Sequence, residues 1–296
     1  MKTAIVILNY NDMATTLSYL KAIQGYTVYD HIVVVDNAST ASSTGEIRAC
    51  CERIGADFVQ AAENRGYACG NNIGIRYAIE RYGAEIIFVS NPDIVCTEEA
   101  ARAVVGAFYD HDRIGIASGL IHVYDEDHAL KPYSAFAYRT PSASDMVLNC
   151  FLILTKLRRK WGKGTIYYDP AQVKQAGYLY AEALSGCFFA ISRDAFVAID
   201  GLDEDTFLYN EEVILGSRLK AKGFRGVVID VPVIHDEKRD KAVGWKKQWR
   251  TYRLTRDSAK VYMKKYLRCG HLALAAYDAA SLMGFVERYL ISLVLR

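Results

Sequence analysis

The 296-residue sequence has little of what marks fibrous, disulfide-bonded or membrane-spanning chains. Its five prolines and 21 glycines exclude a collagen-like or low-complexity chain. It has no run of 18 apolar residues, which argues against a membrane-spanning helix. The apolar stretch in the opening MKTAIVILNYND is too short for a signal peptide, so we expect none.

The cysteines form no recognisable disulfide or zinc pattern. There are seven of them, and no two stand in a Cys-x-x-Cys spacing. An odd number without close pairs is atypical of a disulfide framework or a zinc site. We therefore expect reduced, mostly buried cysteines in a cytoplasmic protein.

Four motifs of common enzyme classes are also missing. The sequence contains no GxGxxG, Walker A, HExxH or GxSxG motif. Gly66, Gly70 and Gly74 are spaced by four, which does not fit the dinucleotide fingerprint. The sequence therefore has no motif evidence for a dehydrogenase, a P-loop NTPase, a zinc protease or an α/β-hydrolase.

The first half of the chain alternates short apolar runs with helical patterns. Strands are predicted at Ala4–Leu8, His31–Val35 and Glu85–Val89, and helices at 13–24, 44–54 and Asn71–Tyr82. Continuous rather than alternating apolar strands are typical of a parallel sheet covered on both faces. The sequence therefore predicts an α/β fold with a mostly parallel central sheet flanked by helices.

Polar clusters follow three of these strands. They are Asn9–Asp12, Asp36–Thr40 and Asn91–Asp93. Ligands of open α/β sheets bind at the carboxyl ends of the strands, so we expect the three clusters to meet at one edge.

The second half is less regular. Residues 124–180 are predicted to form loops and a helix over the sheet. A strand over Ala183–Ser192, a helix over 207–222 and a strand over Gly226–Val231 are expected to follow. Two further helices, 245–268 and 271–295, are placed outside the sheet.

Four segments, in order, resemble glycosyltransferase family 2. They are IVILNYN with VVVDNAST; ENRGYACGNNIGI; FVSNPDI; and LSGCFFAISRDAF through GLDEDTFLYNEEV to His235. They span about 5–235, and the bacterial branch of rhamnosyl- and galactofuranosyltransferases is nearest in appearance. The resemblance implies a GT-A catalytic domain over 1–237, with a donor half (about 1–123) and an acceptor half (about 124–237). A helical extension over 238–296 follows.

The resemblance also implies a donor site. Asp36 would accept the N3–H of a uracil or thymine ring, with Asn9 and Tyr10 beside it. The glycine-containing loop would touch the ribose and diphosphate of the donor through Asn64, Gly66 and Asn72. The alternative for Asp36 is a helix cap, and the alternative for the loop is a simple turn into a helix.

A metal site is implied where the family carries its Asp-x-Asp motif. This sequence has Asn91-Pro92-Asp93 there, which leaves Asp93 as the main carboxylate ligand and Asn91 beside the donor. His235 would be the second ligand, and an imidazole ligand favours Mn²⁺ slightly over Mg²⁺. The alternatives are a polar turn and a strand-end histidine.

The catalytic base is implied at Glu211-Glu212. The family has Glu-Asp at this place, and its second carboxylate accepts the acceptor's proton. Glu212 is therefore the expected base, one methylene longer than the family's aspartate, and Glu211 is the second candidate. The alternative is that both residues only stabilise a helix N-terminus.

The C-terminal segment is strongly basic. Residues 238–268 hold twelve basic and two acidic residues, with Trp245, Trp249 and three tyrosines among them, and Leu272–Leu295 is apolar. This combination is typical of a helix on an anionic membrane. Residues 146–163 repeat it on a smaller scale. Ordinary helices or a homo-oligomer contact are the alternatives. Nucleic acid is not an expected partner, because no nucleic-acid motif is present.

The sequence thus predicts a metal-dependent inverting glycosyltransferase that uses a UDP- or dTDP-sugar, with Mn²⁺ or Mg²⁺ as cofactor. We expect its acceptor to be a lipid-linked glycan of a surface polysaccharide. We expect the protein to be cytoplasmic and peripheral to the inner face of the membrane. A nucleotidyltransferase and a catalytically inactive scaffold are the rival hypotheses.

Overall fold

The computed structural model describes residues 1–40, 44–125, 127–160, 166–237 and 244–294. These residues form a ten-stranded mixed sheet and a two-stranded sheet, with helices around them. The strands are β1 (Thr3–Asn9), β2 (His31–Asp36), β3 (Asp57–Gln60), β4 (Ile86–Ser90), β5 (Ile94–Val95), β6 (Ile114–Tyr124), β7 (Leu130–Pro132), β8 (Ala137–Tyr138), β9 (Tyr178–Ala181), β10 (Ala183–Leu184), β11 (Phe188–Ser192) and β12 (Arg225–His235).

The helices are α1 (Met13–Ile23), α2 (Thr44–Ile54), α3 (Tyr67–Tyr82), α4 (Glu98–Asp110), α5 (Ala143–Leu148), α6 (Leu152–Lys160), α7 (Pro170–Ala176), α8 (Arg193–Ala198), α9 (Glu211–Ala221), α10 (Trp245–Val261) and α11 (His271–Val294). A π-helical turn, Tyr262–Tyr266, extends α10. No helix in the described part of the chain is long and apolar enough to cross a membrane.

The main sheet has the order β3-β2-β1-β4-β11-β6-β12-β5. Strands β1 to β4 are mutually parallel where they pair, and β6 is parallel to β12. The centre of the sheet is fully buried, which explains the continuous apolar runs of β1 and β4. The α/β prediction is confirmed, with β11 inserted antiparallel between β4 and β6.

The predicted strand over Ala183–Ser192 is two strands. Its first part, β10, pairs with β8 in the small sheet, and its second part, β11, enters the main sheet. The break falls at residues 185–187, where the Ser185 amide bonds to the Phe136 carbonyl over 3.0 Å instead of joining the main sheet. This break lies beside the candidate active site.

Helix α3 begins at Tyr67, four residues before the start predicted from the sequence. Its glycines explain how close it lies to the sheet. A Cβ at Gly70 would lie 2.5 Å from Leu8 Cδ1, and one at Gly74 would lie 2.4 Å from Val6 Cγ1. The spacing of four therefore places a smooth helix face against β1.

Other predicted boundaries shift by a few residues or more. Helix α9 starts at Glu211 rather than 207, and β12 continues to His235 rather than Val231. The described part of residues 124–180 contains three short helices and strands β7, β8 and part of β9 rather than one helix. Trp161, Lys163, Lys238, Arg239 and Lys241 of the basic segments lie outside the described residues.

The C-terminal helices share small apolar clusters with the rest of the chain. Met263 and Tyr277 pack with Cys150, and Tyr262 packs with Val213 and Ile214 of α9. The division at residue 237 stays a prediction.

Candidate active site

Two neighbouring strands end side by side at the carboxyl edge of the sheet, each in a buried polar residue. Asn9 of β1 is in register with Asp36 of β2, and both side chains are completely buried. Asn9 Nδ2 donates to Asp36 Oδ2 over 2.6 Å, and Asn9 Oδ1 accepts from Thr16 Oγ1 over 3.0 Å. The strand register therefore brings these two predicted donor-binding residues together.

Both carboxylate oxygens of Asp36 receive two donors. Oδ1 accepts from the Ser39 amide at 2.9 Å and from Gln60 Nε2 at 2.7 Å. Oδ2 accepts from Asn9 and, at 2.7 Å, from the Ser39 hydroxyl. Four donors satisfy a carboxylate that has no access to water. Asp36 fixes the loop after β2 and does not cap α2, which begins at Thr44.

The loop before α3 is tied to the same edge. Asn64 Oδ1 accepts from the Gly66 amide at 2.9 Å and from Asn37 Nδ2 at 3.0 Å. Gly66 has a φ of 100°, and a Cβ there would lie 2.3 Å from the Phe207 carbonyl oxygen. This position therefore requires glycine for both its backbone angle and its close approach to Phe207.

Tyr67 joins this loop to the second half of the chain. Its amide donates to the Phe207 carbonyl over 2.9 Å, and its hydroxyl donates to the Gly186 carbonyl. Tyr67 was not among the residues singled out from the sequence. Its place in the ENRGY segment was the available signal, but nothing in the sequence indicated what the ring would reach.

Asn72 lies in the second turn of α3 and is completely buried. Its Nδ2 donates to the Leu202 carbonyl and to Glu204 Oε1, both at 2.8 Å, and its Oδ1 accepts from the Leu202 amide at 2.8 Å. Its hydrogen-bonding groups are thus used to attach α3 to the loop after α8.

Two of the predicted donor-binding residues, Tyr10 and Asn91, are at least partly exposed to solvent, unlike the buried residues above. The Tyr10 ring is about half exposed on the loop after β1. Asn91 is partly exposed, and its amide donates to the Cys187 carbonyl over 2.8 Å. Neither side chain forms a hydrogen bond to another described residue, so both can meet a ligand at this edge.

Strand pairing brings Asp93 and His235 together. The short β5 pairs antiparallel with the end of β12, so that Ile94 faces His235. His235 Nε2 lies 3.2 Å from Asp93 Oδ2. Burial opposes the charged form of His235, but the hydrogen bond and charge of Asp93, with Glu237 and Asp236, raise its pKa above the usual value.

This pair fits a divalent cation. Asp93 Oδ1 is buried and has no hydrogen-bond partner in the described part of the chain, so one carboxylate oxygen is free for a ligand. A carboxylate oxygen beside an imidazole is a donor set that divalent metal ions can use. Within the described ranges no third His, Cys, Asp or Glu completes a cluster. The remaining ligands would have to come from the substrate or from water.

Glu211 and Glu212 open α9 and lie against the break at Gly186. A Cβ at Gly186 would lie 3.1 Å from Glu212 Oε1, and the Gly186 amide supports the charged form of that carboxylate. Glu211 Oε1 is buried and has no partner in the described structure. The pair borders a cavity of about 10 Å³, room for at most one water molecule, with largely apolar walls.

Burial dominates the protonation of this pair. It raises the pKa of Glu212 above its usual value, although backbone amides, including that of Gly186, favour the charged form. Burial, together with the charge of Glu212, raises the pKa of Glu211 to about 8. In such a pair of adjacent buried acids, the charge of one opposes ionisation of the other.

The turn before α9 is strained and held from two sides. Tyr209 and Asn210 both have positive φ, 76° and 63°, which is uncommon for residues other than glycine. From α10, the Ser258 hydroxyl donates to the Leu208 carbonyl over 2.8 Å, and Asn210 Nδ2 donates to the Thr255 carbonyl over 3.3 Å. Helix α10 therefore helps to place the two glutamates.

Earlier in the same loop, Asp203 is bound by residues of the π-helical turn. Lys265 Nζ lies 2.7 Å from Asp203 Oδ2 and 2.9 Å from Asp205 Oδ2. Tyr266 also donates to Asp203. Sequence reasoning missed these contacts, because nothing in the basic segment distinguished Lys265 from its eleven basic neighbours.

The mixed sheet, with its polar carboxyl edge and its two acidic sites, has the GT-A fold of glycosyltransferases. The chain belongs to glycosyl transferase family 2, whose family model matches residues 4–196.

Two curated relatives are glycosyltransferases. The low-salt glycan biosynthesis hexosyltransferase Agl10 of Haloferax volcanii is 33% identical over 99 residues, 33% of this chain and 30% of the relative. The rhamnosyltransferase WbbL of Escherichia coli K12 is 26% identical over 189 residues, 63% of this chain and 65% of the relative. The matches thus cover less than two thirds of either relative.

Solved glycosyltransferases share the fold. The mannosyltransferase PcManGT of Pyrobaculum calidifontis, in complex with GDP-Man and Mn²⁺, superposes with a TM-score of 0.56 at 17% identity, over 94% of this chain and 73% of the other. GalNAc-T7 with UDP, GalNAc and Mn²⁺ gives a TM-score of 0.60 at 14% identity, over 89% of this chain and 50% of the other.

Proposed function

We propose that this chain is a metal-dependent, inverting glycosyltransferase that uses a UDP- or dTDP-sugar. The observation that carries the proposal is the pair of acidic sites on either side of the strand break at residues 185–187. Gly186 contacts Glu212, and the Cys187 carbonyl accepts from the amide of Asn91, two residues before Asp93. One short segment thus spaces a candidate metal site from a candidate base.

The donor would lie along the carboxyl edge from β2 to β5. Tyr10 is about half exposed at the proposed nucleotide end. Asn64 and Gly66 would lie beside the ribose and diphosphate. Asp36 has no free lone pair directed at a ligand while its four donors are in place. We therefore assign it first to holding Asn9 and the loop. A pyrimidine N3–H would reach it by replacing the rotatable Ser39 hydroxyl.

Asp93 and His235 would hold the cation, and Asn91 would lie at the donor beside it. A bound divalent cation would neutralise charge on the leaving diphosphate. Asp93 contributes the carboxylate charge, and its unpartnered Oδ1 is the oxygen available for coordination.

Glu212 is the proposed base. It would accept the proton of an acceptor hydroxyl, whose oxygen then forms a bond to the anomeric carbon. The bond from that carbon to the diphosphate oxygen breaks, and its electron pair leaves with the diphosphate. Attack from the face opposite the nucleotide inverts the configuration in a single step.

The Glu211 carboxyl would remain protonated at neutral pH, because burial and the charge of Glu212 raise its pKa to about 8. A neutral neighbour limits the negative charge beside Glu212. Glu211 is therefore the less suitable base of the two.

The acceptor is proposed to be a lipid-linked glycan, with the protein peripheral to the inner, cytoplasmic face of a membrane. This rests on the basic and apolar helices α10 and α11. Of the two, α10 contacts the loop that leads into Glu211 and Glu212.

A thermal-shift screen followed by a transfer assay tests the proposal. UDP-, dTDP- and GDP-sugars are added with Mn²⁺, Mg²⁺ or a chelator. We expect stabilisation by a pyrimidine nucleotide sugar that the chelator removes, and release of the nucleoside diphosphate when an acceptor is present. Glu80→Gln, an exposed change on α3, is the matched control for Glu212→Gln.

Stabilisation by GDP-sugars alone would contradict the pyrimidine donor. Nucleotide-sugar binding without release by any donor, with a broad acceptor panel, would favour the inactive scaffold instead. Pyrophosphate release from a nucleoside triphosphate would favour a nucleotidyltransferase.

A further inference from the structure

Helix α11 carries an apolar stripe that nothing in the described part of the chain covers. Leu272 is 90% exposed and Met283 60%, and Leu282, Val286 and Leu290 are 46–56% exposed. Leu282, Val286 and Leu290 are four residues apart, and the exposed Ala275, Ala276 and Ala279 continue the same side of the helix back to Leu272. The stripe from Leu272 to Leu290 is about 27 Å long. A contiguous exposed apolar stripe of this length is unusual on a monomeric soluble protein and marks an interaction surface.

The aromatic residues of α10 pack against α11 and are not part of this stripe. Trp249 and Tyr252 pack against Phe285 of α11, with ring centroids 5.4 and 4.7 Å apart. Trp245 stacks on Trp249 and contacts Tyr289. Trp245, Trp249 and Tyr252, which the sequence suggests as membrane anchors, thus join the two helices. Of these three rings, Trp245 alone stays about half exposed.

The contacts also show that α10 and α11 run antiparallel. Trp245, at the start of α10, meets Tyr289, near the end of α11, and Lys260, at the end of α10, bonds to Asp278 over 2.6 Å. Each residue turns a right-handed helix by about 100°. Because the two helices run in opposite directions, this turn leads to the same side of the pair in both. Residues one position after the contacting residues therefore share that side.

This geometry places a basic row beside the apolar stripe. On α10, Lys246, Arg250 and Arg253 each follow a contacting aromatic residue by one position. On α11, Leu282, Val286 and Leu290 follow the contacting residues Ser281, Phe285 and Tyr289 in the same way. All three basic side chains are exposed and form no ion pair within the described ranges.

The carboxylates of α11 are bound inward. Asp278 pairs with Lys260, and Glu287 accepts the Leu152 and Ile153 amides at the start of α6, at 2.7 and 3.1 Å. The outer side of the helix pair combines the apolar stripe with the basic row. Asp257 of α10, which is exposed and four residues after Arg253, lies on the same side, and its carboxylate pairs with Arg256. The row therefore keeps an excess of positive charge.

We infer that this side of the α10–α11 pair lies flat on an anionic lipid surface, with the α11 stripe in the acyl boundary and the α10 row at the phosphate level. A second copy of the chain is the less suitable occupant, because two-fold pairing would bring two unpaired basic rows together. The pattern of a large apolar face next to Lys and Arg is that of interfacial helices.

The inference rests on the proposed peripheral location and adds the face that makes contact. Ser258 and Thr255 of α10 bond to Leu208 and Asn210 of the loop before Glu211. The proposed face would therefore set this loop close to lipid-linked acceptors.

The test is flotation of the full chain with phosphatidylcholine vesicles, with and without phosphatidylglycerol, at low and high salt. Wild type should bind the anionic vesicles and be released by salt. Leu282→Gln/Met283→Gln/Val286→Gln should lower the partition coefficient about tenfold or more. Lys246→Gln/Arg250→Gln/Arg253→Gln should lower it about 100-fold at low salt. Val197→Gln/Leu130→Gln, which alters exposed apolar residues elsewhere, should bind like wild type.

Equal binding of wild type and both helix-pair variants would overturn the inference, as would absence of binding by wild type. A dimer in sedimentation equilibrium that the apolar variant converts to monomer would assign the face to a second copy instead. Circular dichroism checks folding, and the basic variant keeps the test valid if the apolar variant unfolds. Donor-sugar hydrolysis without vesicles is the separate readout: it should be the same in all these variants, and its absence in wild type would contradict the proposed function rather than this face.

Discussion

Two buried carboxylate sites lie at the same edge of the sheet and differ in the donors that reach them. Asp36 accepts four hydrogen bonds, from Asn9, Gln60 and both donors of Ser39. Glu211 and Glu212 lie beside an apolar-walled cavity, and Glu211 Oε1 has no partner in the described structure. Burial raises the pKa of both glutamates.

The difference separates a carboxylate that holds the surrounding loops from a pair of carboxyl groups whose pKa values burial raises. A charge that is fully hydrogen-bonded stabilises the loops that supply the donors. A buried carboxylate with too few donors is costly to ionise, and such groups are concentrated at catalytic sites. The motif around Asp36 and the motif around Glu212 are equally prominent in the sequence, and only the structure distinguishes their surroundings.

The largest effect is expected from Glu212→Gln. The amide keeps the size of the side chain but cannot accept a proton, so turnover should fall by about 10²–10⁴-fold. Affinity for the donor sugar should change little, because the base acts on the acceptor. Turnover at saturating donor and Mn²⁺, with calorimetry for donor affinity, measures both. Near wild-type turnover in Glu212→Gln, together with an inactive Glu211→Gln, would exchange the roles of the two residues.

Asp36→Asn should mainly lower stability. The amide group would face donors that the carboxylate now satisfies, and the cost of unpaired buried groups predicts a loss of about 2–4 kcal/mol. Urea unfolding measures this loss of stability, with Glu46→Gln, at an exposed position of α2, as the control. If stability is unchanged while nucleotide affinity drops about 10–150-fold, Asp36 contacts the base directly.

Glu211→Gln should raise stability at alkaline pH. In the folded chain the pKa of Glu211 is about 8, against 4.5 for an unperturbed glutamate. Between these values the folded chain binds the additional proton, so the unfolding free energy of wild type falls as pH rises. Glutamine avoids this cost, and a gain of about 1–3 kcal/mol is expected above pH 8, with little gain near pH 4. Equal stability of the two proteins at high pH would show that Glu211 ionises normally.

Much of the fold could be predicted from the sequence. The apolar runs of β1, β2 and β4 need burial on both faces, which fixes a parallel sheet and brings Asn9 next to Asp36. The break at Gly186 could not be predicted, because Ala183–Ser192 is apolar enough for one strand, and its division depends on pairing with the distant β8. Among the short helices of residues 124–180, α5 and α6 pack against α11, whereas α7 packs against β9 and β12. Their positions likewise depend on contacts that the local sequence does not show.

The residues of the site were found from motifs, but their roles depend on partners far along the chain. Asn72 bonds to Leu202, 130 residues away, and Asn9 to Asp36. Such contacts leave no periodic signal. Tyr67 and Gly186 were overlooked for the same reason, since each acquires its importance only where the two halves of the chain meet.

The pH dependence of turnover tests the central claim, that the sparsely hydrogen-bonded glutamate pair supplies the base. Wild type at saturating donor and metal should lose activity as pH falls, with a midpoint above the 4.5 of an ordinary glutamate, because burial raises the pKa of Glu212. This acidic limb should persist in Glu211→Gln and be absent from the residual activity of Glu212→Gln. A limb with its midpoint at or below 4.5, or one that survives in Glu212→Gln, would contradict the account.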